Sequence, residues 1–168
     1  MTGSNPVSYD DRVEQLWAIQ EIKNLALTYA YAVDTRDWPL LESLWVETSE
    51  PSESLLDIHM MRQLPAFLEG LEASTLLVAN HLIEFDGPDN ATGSVYCYCM
   101  MDWDRFIDQN IIYKDVYERH DGKWLFRTRD HRLWWGIERR ENPMRQPPAN
   151  WPDSPIGSGD AFEFIRRR

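Results

Sequence analysis

The stretch from Glu14 to Trp38 constrains the fold most, because its pattern predicts one long helix. Apolar groups recur there at intervals of three and four residues, the spacing that places side chains on one helical face. These groups are Ile19, Ile22, Ala26, Tyr29 and Val33. Ser8, followed by acidic residues, predicts the start of this helix, because serine caps and acids favour the first turn. The apolar face must pack against a second layer.

A phenol, Tyr29, interrupts this apolar face, and a carboxylate, Asp34, closes it. One interpretation is structural: Tyr29 makes a hydrogen bond in the core and Asp34 caps the next helix. The other is a catalytic pair, with Asp34 as general base and Tyr29 as acid, because burial would raise the pKa of Asp34 toward neutrality. Positions five apart on a helix differ by about 140°, so both face one cavity only if the helix unwinds or the substrate spans its end.

Pro39 predicts a short second helix through about Glu47. The run Leu55–Met61 predicts a first strand, and Pro65 predicts a third helix ending near residue 74. Four strands then follow, at about 75–87, 91–103, 107–119 and 123–136, with a longer connection or bulge at 102–109 and hairpin turns at 87–90 and 120–122. This order predicts an α+β fold in which helices pack into a curved, mainly antiparallel sheet with an internal pocket.

The chain of 168 residues predicts one domain over 1–136 and a proline-rich C-terminal tail over 137–168. The tail is expected to be extended and to pack on the domain or a neighbouring subunit through Trp151, Phe162 and Phe164, with disorder as the alternative. Cys97 and Cys99 read as reduced core residues on one strand face.

A net charge of −11 argues against nucleic acid as a partner. No apolar run approaches the ~20 residues of a membrane span, and no leader pattern begins the chain, so a cytoplasmic protein without membrane contact is expected. No glycine-rich phosphate loop or cluster of metal ligands is evident, which predicts neither cofactor nor metal.

Three segments resemble one family in the same order: Tyr29 to Trp38, residues 79–84 (ANHLIE) and residues 113–124 (YKDVYERHDGKW). They resemble the scytalone dehydratase and SnoaL-like polyketide cyclase group of the nuclear transport factor 2-like superfamily, over about residues 10–136. The resemblance implies a cone-shaped pocket, an acid from the end of the first helix, a tyrosine one turn earlier, and a homodimer or homotrimer.

The chain departs from this pattern at one position. The family often has a histidine four residues before the asparagine of the second strand, but Leu76 stands four before Asn80, so the Asp–His dyad of several members cannot form there. His59 and His131 are the two predicted replacements for the missing histidine. His81 points away from Asn80 by strand alternation and is interpreted as structural.

By the same resemblance, Arg129 matches a functional arginine of some dehydrochlorinase-like members, where it would steady a developing oxyanion. An exposed strand face is the alternative for Arg129 and His131. The aromatic residues suit a flat, apolar, oxygenated ring, although strand aromatics are usually core. The predicted pocket consists of Asn80, Leu76, His59, Tyr96, Tyr98, Tyr113 and Trp135.

Two functions follow from these predictions. The first is a cofactor-independent lyase or isomerase, dehydratase- or cyclase-like, that acts by acid–base chemistry on a small hydrophobic oxygenated ring compound. Its predicted catalytic residues are Asp34, Tyr29, His131 and Arg129, and an epoxide hydrolase using the same pocket is a variant. The alternative is a non-catalytic ligand-binding or assembly subunit, resembling the small subunit of ring-hydroxylating dioxygenases.

Overall fold

The computed structural model describes residues 8–53 and 55–161. The first helix, α1, spans Tyr9–Thr35. Ser8 caps it: the Ser8 hydroxyl accepts from the Asp11 N–H at 3.1 Å, and the Asp11 carboxylate accepts from the Ser8 N–H. The helix ends at Arg36, whose left-handed backbone (φ 62°) stops the α-helical ladder. The predicted long helix is therefore confirmed, with its end three residues before Trp38.

Two short helices follow, α2 over Trp38–Ser43 and α3 over Ile58–Phe67. The prediction of a strand over 55–61 is wrong, because the Asp57 carboxylate accepts from the Met60 N–H at 3.0 Å and caps a helix there. Helix α2 ends before the predicted residue 47, since Val46 instead donates its N–H to the Phe126 carbonyl on the sheet edge.

Four antiparallel strands form one sheet in the order β1-β2-β3-β4. They span Ala73–Phe85, Asn90–Asp102, Phe106–His120 and Lys123–Arg139. The predicted meander is confirmed. The connection after β2 is shorter than predicted, because β3 already begins at residue 106. Strand β4 continues to residue 139, so the predicted domain boundary at 136 falls inside a strand.

The helices cover one face of the sheet, here called the inner face, and form a two-layer α+β cone. The core packs α1 against inner-face residues of β2, β3 and β4, including Val95, Cys97, Ile111 and Phe126. Register shifts in the β1–β2 pair and twice in the β3–β4 pair mark β-bulges. A bulge changes which side chains face inward, so these irregularities decide the composition of the interior.

Part of the C-terminal segment packs on the domain. Asp102, at the end of β2, accepts hydrogen bonds from Asn142 at 2.8 Å and from Arg145 at 3.0 Å. Trp151 is 75 % exposed, so it does not anchor the tail on this domain, and its packing on a neighbouring subunit stays a prediction. Phe162 and Phe164 lie outside the described residues. Within residues 8–53 and 55–161, none of the helices is long and apolar enough to cross a membrane.

Candidate functional site

Asp34 lies in the last turn of α1 and faces the beginning of β1. Its carboxylate accepts a hydrogen bond from the Ser74 hydroxyl at 3.0 Å and another from the Leu76 backbone N–H at 3.0 Å. The side chain is half-buried. The structural alternative for Asp34, a cap of the second helix, is wrong, because Asp37 caps α2.

Burial raises the pKa of Asp34 from 3.8 to about 6, and it does so against opposing effects. The hydrogen bonds from Leu76 and Ser74 and the charge of Arg36 all favour the carboxylate, yet desolvation outweighs them. Arg36 also donates to the Ser74 hydroxyl at 3.0 Å, so Ser74 connects the two charged groups. The result is a carboxyl group that exchanges its proton close to neutral pH.

Arg129 on β4 is completely buried and pairs with Asp115 on β3. Its Nε and Nη2 atoms donate to the two carboxylate oxygens at 2.7 and 2.8 Å. The exposed-strand alternative for Arg129 is therefore wrong. The remaining nitrogen, Nη1, is buried and has no hydrogen-bond partner among the described residues.

Three aromatic rings enclose the Arg129 guanidinium. Its central carbon lies 4.3, 4.0 and 4.4 Å from the ring centroids of Tyr29, Tyr113 and Phe126. Such cation–π contacts stabilise a desolvated guanidinium. Burial raises the pKa of Tyr29, an effect that Arg129 partly offsets, and it raises the pKa of Tyr113 further. This aromatic cage can hold a charge that water does not reach.

Tyr29 and Asp34 have different neighbours. Tyr29 contacts Trp45, Tyr113 and Phe126 edge-on at centroid distances of 6.0–6.3 Å, whereas Asp34 is bound to the start of β1. The charges of both Asp34 and Arg129 act on the pKa of the Cys97 thiol. The two predicted catalytic residues thus have separate sets of partners within the described residues.

The predicted imidazoles occupy different places. His131 is on the inner face beside Arg129, and its ring lies edge-on to Tyr113 at 5.5 Å. Partial burial lowers the pKa of His131 most, and the positive charge of Arg129 lowers it further. His59 is on helix α3, where its Nε2 contacts the Thr48 carbonyl oxygen at 2.9 Å. His59 therefore binds the backbone of the connection that follows α2. Its predicted place in the pocket is wrong.

The bulge in β1 changes the roles of Asn80 and His81. Asn80 has a left-handed backbone (φ 46°) between Ala79 and Leu82, where the register shifts. As a result His81 turns toward the inner face and its Nε2 lies 3.0 Å from the Tyr117 hydroxyl. Asn80 is exposed and borders a cleft of ≈ 230 Å³ that does not include Asp34.

Three predicted wall residues lie on the outer face instead. Tyr96 and Tyr98 alternate with the inward-facing Val95, Cys97 and Cys99, and so point away from the helices. The rings of Tyr98 and Trp135 contact each other on that outer face at a centroid distance of 6.2 Å. The prediction that Tyr96, Tyr98 and Trp135 line the pocket is therefore wrong. Tyr113 and Leu76 pack on the inner side, and their place in a substrate pocket stays a prediction.

Sequence reasoning missed Asp115 and Trp45. Asp115 is flanked at alternate positions by Tyr113 and Tyr117, a pattern that could have marked an inward-facing acid. Trp45 packs against Phe126 with a centroid distance of 5.0 Å, and its indole N–H is buried without a partner among the described residues. Both side chains therefore belong to the interior that holds Tyr29 and Arg129.

Five clefts of the described residues have volumes of ≈ 230–630 Å³, and none of the five is lined by Asp34, Tyr29 or Arg129. Core side chains must therefore move before a ligand reaches these groups through any of them. Within the described ranges, no three His, Cys, Asp or Glu side chains are arranged to hold a metal ion.

The fold and the half-buried acid at the end of α1 define a cone-shaped α+β protein with an internal charged site. The model of the SnoaL-like domain matches residues 14–130. The chain therefore belongs to the SnoaL-like domain family, within the nuclear transport factor 2-like superfamily, which confirms the resemblance inferred from the sequence.

Solved structures share this fold at low identity. The hexachlorocyclohexane dehydrochlorinase LinA-type3 from Novosphingobium barchaimii LL02 is 20% identical, with a TM-score of 0.70 over 78% of this chain and 96% of that one. LinA type 2 is 19% identical, with a TM-score of 0.69 over 78% and 95%. A variant of Rv3472 from Mycobacterium tuberculosis, a protein of unknown function, is 20% identical, with a TM-score of 0.61 over 77% and 78%. The comparison with curated proteins finds no match.

Proposed function

We propose that the protein is a cofactor-independent lyase or isomerase that acts by acid–base chemistry on a small hydrophobic oxygenated ring compound. The observation that carries the proposal is Asp34, a half-buried carboxyl group whose pKa of about 6 suits proton abstraction near neutral pH. The fold shared with hexachlorocyclohexane dehydrochlorinases supports the same class.

In the proposed reaction, Asp34 removes a proton from a carbon beside a carbonyl group. The electron pair left on that carbon moves toward the carbonyl oxygen, which becomes an enolate oxyanion. Nη1 of Arg129, which has no partner among the described residues, would stabilise this oxyanion. Isomerisation follows if Asp34 returns the proton to another carbon. Elimination follows if a hydroxyl group on the next carbon leaves as water, with its proton supplied by the phenol of Tyr29.

Deuterium exchange tests the first step without knowledge of the natural substrate. A cyclic ketone, 2-tetralone, is incubated in D2O with the protein, and NMR measures the loss of the protons beside the carbonyl. Wild type is expected to accelerate the exchange above the buffer rate, with a rate that rises with pH through about 6 as Asp34 ionises. Asp34→Asn should abolish the acceleration.

The exposed Asp104 provides the matched control, since Asp104→Asn removes the same charge from a loop. Its exchange rate should equal that of wild type. Equal rates for wild type and Asp34→Asn, with both proteins folded by circular dichroism, would reject Asp34 as the base.

A non-catalytic ligand-binding or assembly subunit is the second candidate. Two observations favour it: none of the five clefts reaches Asp34, and apolar side chains are exposed along β4. On the outer face of β4, Trp134 is 60 % exposed, Trp135 is 43 % exposed and Ile137 is 56 % exposed. We propose that this surface joins copies of the chain into a homodimer or homotrimer. Light scattering of wild type and of Trp134→Ser tests this, and a monomeric wild type would reject it.

A further inference from the structure

A continuous chain of hydrogen bonds leads from His81 to Arg129. The His81 Nε2 lies 3.0 Å from the Tyr117 hydroxyl, which donates to Asp115 Oδ2 at 2.7 Å. Asp115 in turn accepts both bonds from Arg129. Each inner group of the chain is buried, with Tyr117 and Arg129 completely so. Buried hydrogen bonds of this kind reinforce one another and fix the orientation of every member.

Two backbone features allow the Tyr117 hydroxyl to take this position. The bulge at Asn80 turns His81 inward, where regular alternation would have pointed it out. Gly93 on β2 leaves room for the phenol, because a Cβ at that position would lie 2.8 Å from the Tyr117 ring and 2.9 Å from its hydroxyl. The left-handed backbone of Asn80 and the missing side chain of Gly93 therefore both allow the Tyr117 hydroxyl to take its position.

The direction of the hydrogen bonds follows from Asp115. Its carboxylate only accepts, so the Tyr117 proton points toward it and the Tyr117 oxygen accepts from His81. His81 must then carry its proton on Nε2. Burial lowers the pKa of His81 to about 4, so the imidazole is neutral at pH 7 and this tautomer is defined. Nδ1 is left as the acceptor.

We propose that His81 is a positioning residue that holds Arg129 through Tyr117 and Asp115. Without the bond from Tyr117, Asp115 can rotate about its side chain and lose the two-point contact that fixes the position of the Arg129 guanidinium. The functional consequence rests on the proposed function, because Arg129 is there the group that binds the substrate oxygen. The positioning itself does not require a substrate.

Hydrogen exchange of the Arg129 Nε–H, followed by 15N-resolved NMR, measures this positioning. Tyr117→Phe and His81→Ala are expected to accelerate that exchange about tenfold, the effect of losing one hydrogen bond. His81→Gln should restore the wild-type rate, because the glutamine amide nitrogen can donate from the place of Nε2. His120→Ala, which removes an exposed imidazole bound to Glu118 at the end of β3, is the control and should leave the Arg129 exchange rate unchanged.

The backbone amide of Val95 serves as an internal reference for global stability. An acceleration at Arg129 that is absent at Val95 supports the proposal. An unchanged Arg129 rate in His81→Ala and Tyr117→Phe would overturn it, and so would an equal acceleration at both sites, which shows only general destabilisation. Asp34→Asn should leave the Arg129 rate unchanged, so loss of turnover and loss of positioning are separate results.

Discussion

Arg129 on β4 and Asp115 on β3 lie directly opposite each other, joined by two hydrogen bonds of 2.7 and 2.8 Å, and neither side chain reaches solvent. A buried charge without a partner lowers the free energy of unfolding, because it has lost its hydration. In a pair with two such hydrogen bonds, the attraction between the charges offsets that lost hydration. The aromatic cage around Arg129 adds cation–π attraction. The pair therefore adds a buried side-chain link to the backbone hydrogen bonds that join β3 and β4.

Removal of one partner should be strongly destabilising. Asp115→Asn keeps the shape of the side chain but leaves the Arg129 charge uncompensated in the core. We expect the free energy of unfolding to fall by about 3–5 kcal/mol. Urea denaturation followed by tryptophan fluorescence measures the change.

The neighbouring pair of Arg132 and Asp130 is the control. The Arg132 side chain is 71% exposed, so Asp130→Asn should cost less than about 1 kcal/mol. Similar losses for the buried and the exposed pair would contradict the role assigned to Asp115.

Ser74 adjusts the acidity of Asp34. Its hydroxyl donates to the carboxylate and stabilises the charged form, so Ser74→Ala should raise the pKa of Asp34 above about 6. A lost hydrogen bond of about 1 kcal/mol corresponds to a rise of roughly 0.7 pH units. The carboxyl carbon resonance of Asp34, followed by NMR against pH, reports the value.

Ser94→Ala is a suitable comparison, because Ser94 bonds Lys114 elsewhere on the sheet. It should leave the titration of Asp34 unchanged. A lower pKa of Asp34 in Ser74→Ala would show that the hydroxyl does not stabilise the carboxylate.

The sequence predicted the long helix and the four strands because periodicity and turn residues are local signals. It could not predict the partner of Arg129, because a bulge determines it. The hairpin pairs His120 with Lys123, and regular counting from there would place Arg129 opposite Lys114, on the outer face. A register shift between Val116 and Tyr117 pairs Arg129 with Asp115 instead. Such a shift reverses the faces of the residues that follow it, as far as the second shift between Leu133 and Trp135.

The prediction of the residues that line the pocket was wrong for a related reason. Aromatic side chains favour strands on either face, so their presence does not show which face is covered. Tyr96 and Tyr98 are outward because Val95 and Cys97 pack against α1, and nothing local to the strand reveals this. The partly buried position of Asp34 was predictable from the sequence. Asp34 closes the apolar face of the long helix, and that face must pack against the sheet.

Cys97 and Cys99 should be unreactive in the folded protein. Burial raises the pKa of Cys97 to about 11 and that of Cys99 to about 12, so at pH 8 almost no thiolate forms. Iodoacetamide is expected to leave both thiols unmodified in buffer and to alkylate both in 6 M urea, as mass spectrometry would show. Rapid alkylation of either thiol without urea would contradict the burial.

The raised pKa of Asp34 also predicts how stability depends on pH. Between its unfolded value of 3.8 and its folded value of about 6, the folded chain keeps a proton that the unfolded chain has lost. More protons bound in the folded state mean that stability falls as pH rises through this window. The loss is complete at about pH 7, one pH unit above the folded pKa, and it amounts to at most about 3 kcal/mol.

Asp34→Asn removes this titration, so the difference between wild type and variant isolates it from all other groups. We expect the unfolding free energy of wild type, relative to Asp34→Asn, to decrease between pH 4 and pH 7 and then remain constant. Asp104→Asn, on an exposed loop, should run parallel to wild type over the same range. A relative stability that instead increases with pH would mean that the folded protein favours the Asp34 carboxylate, which is incompatible with a base held by desolvation.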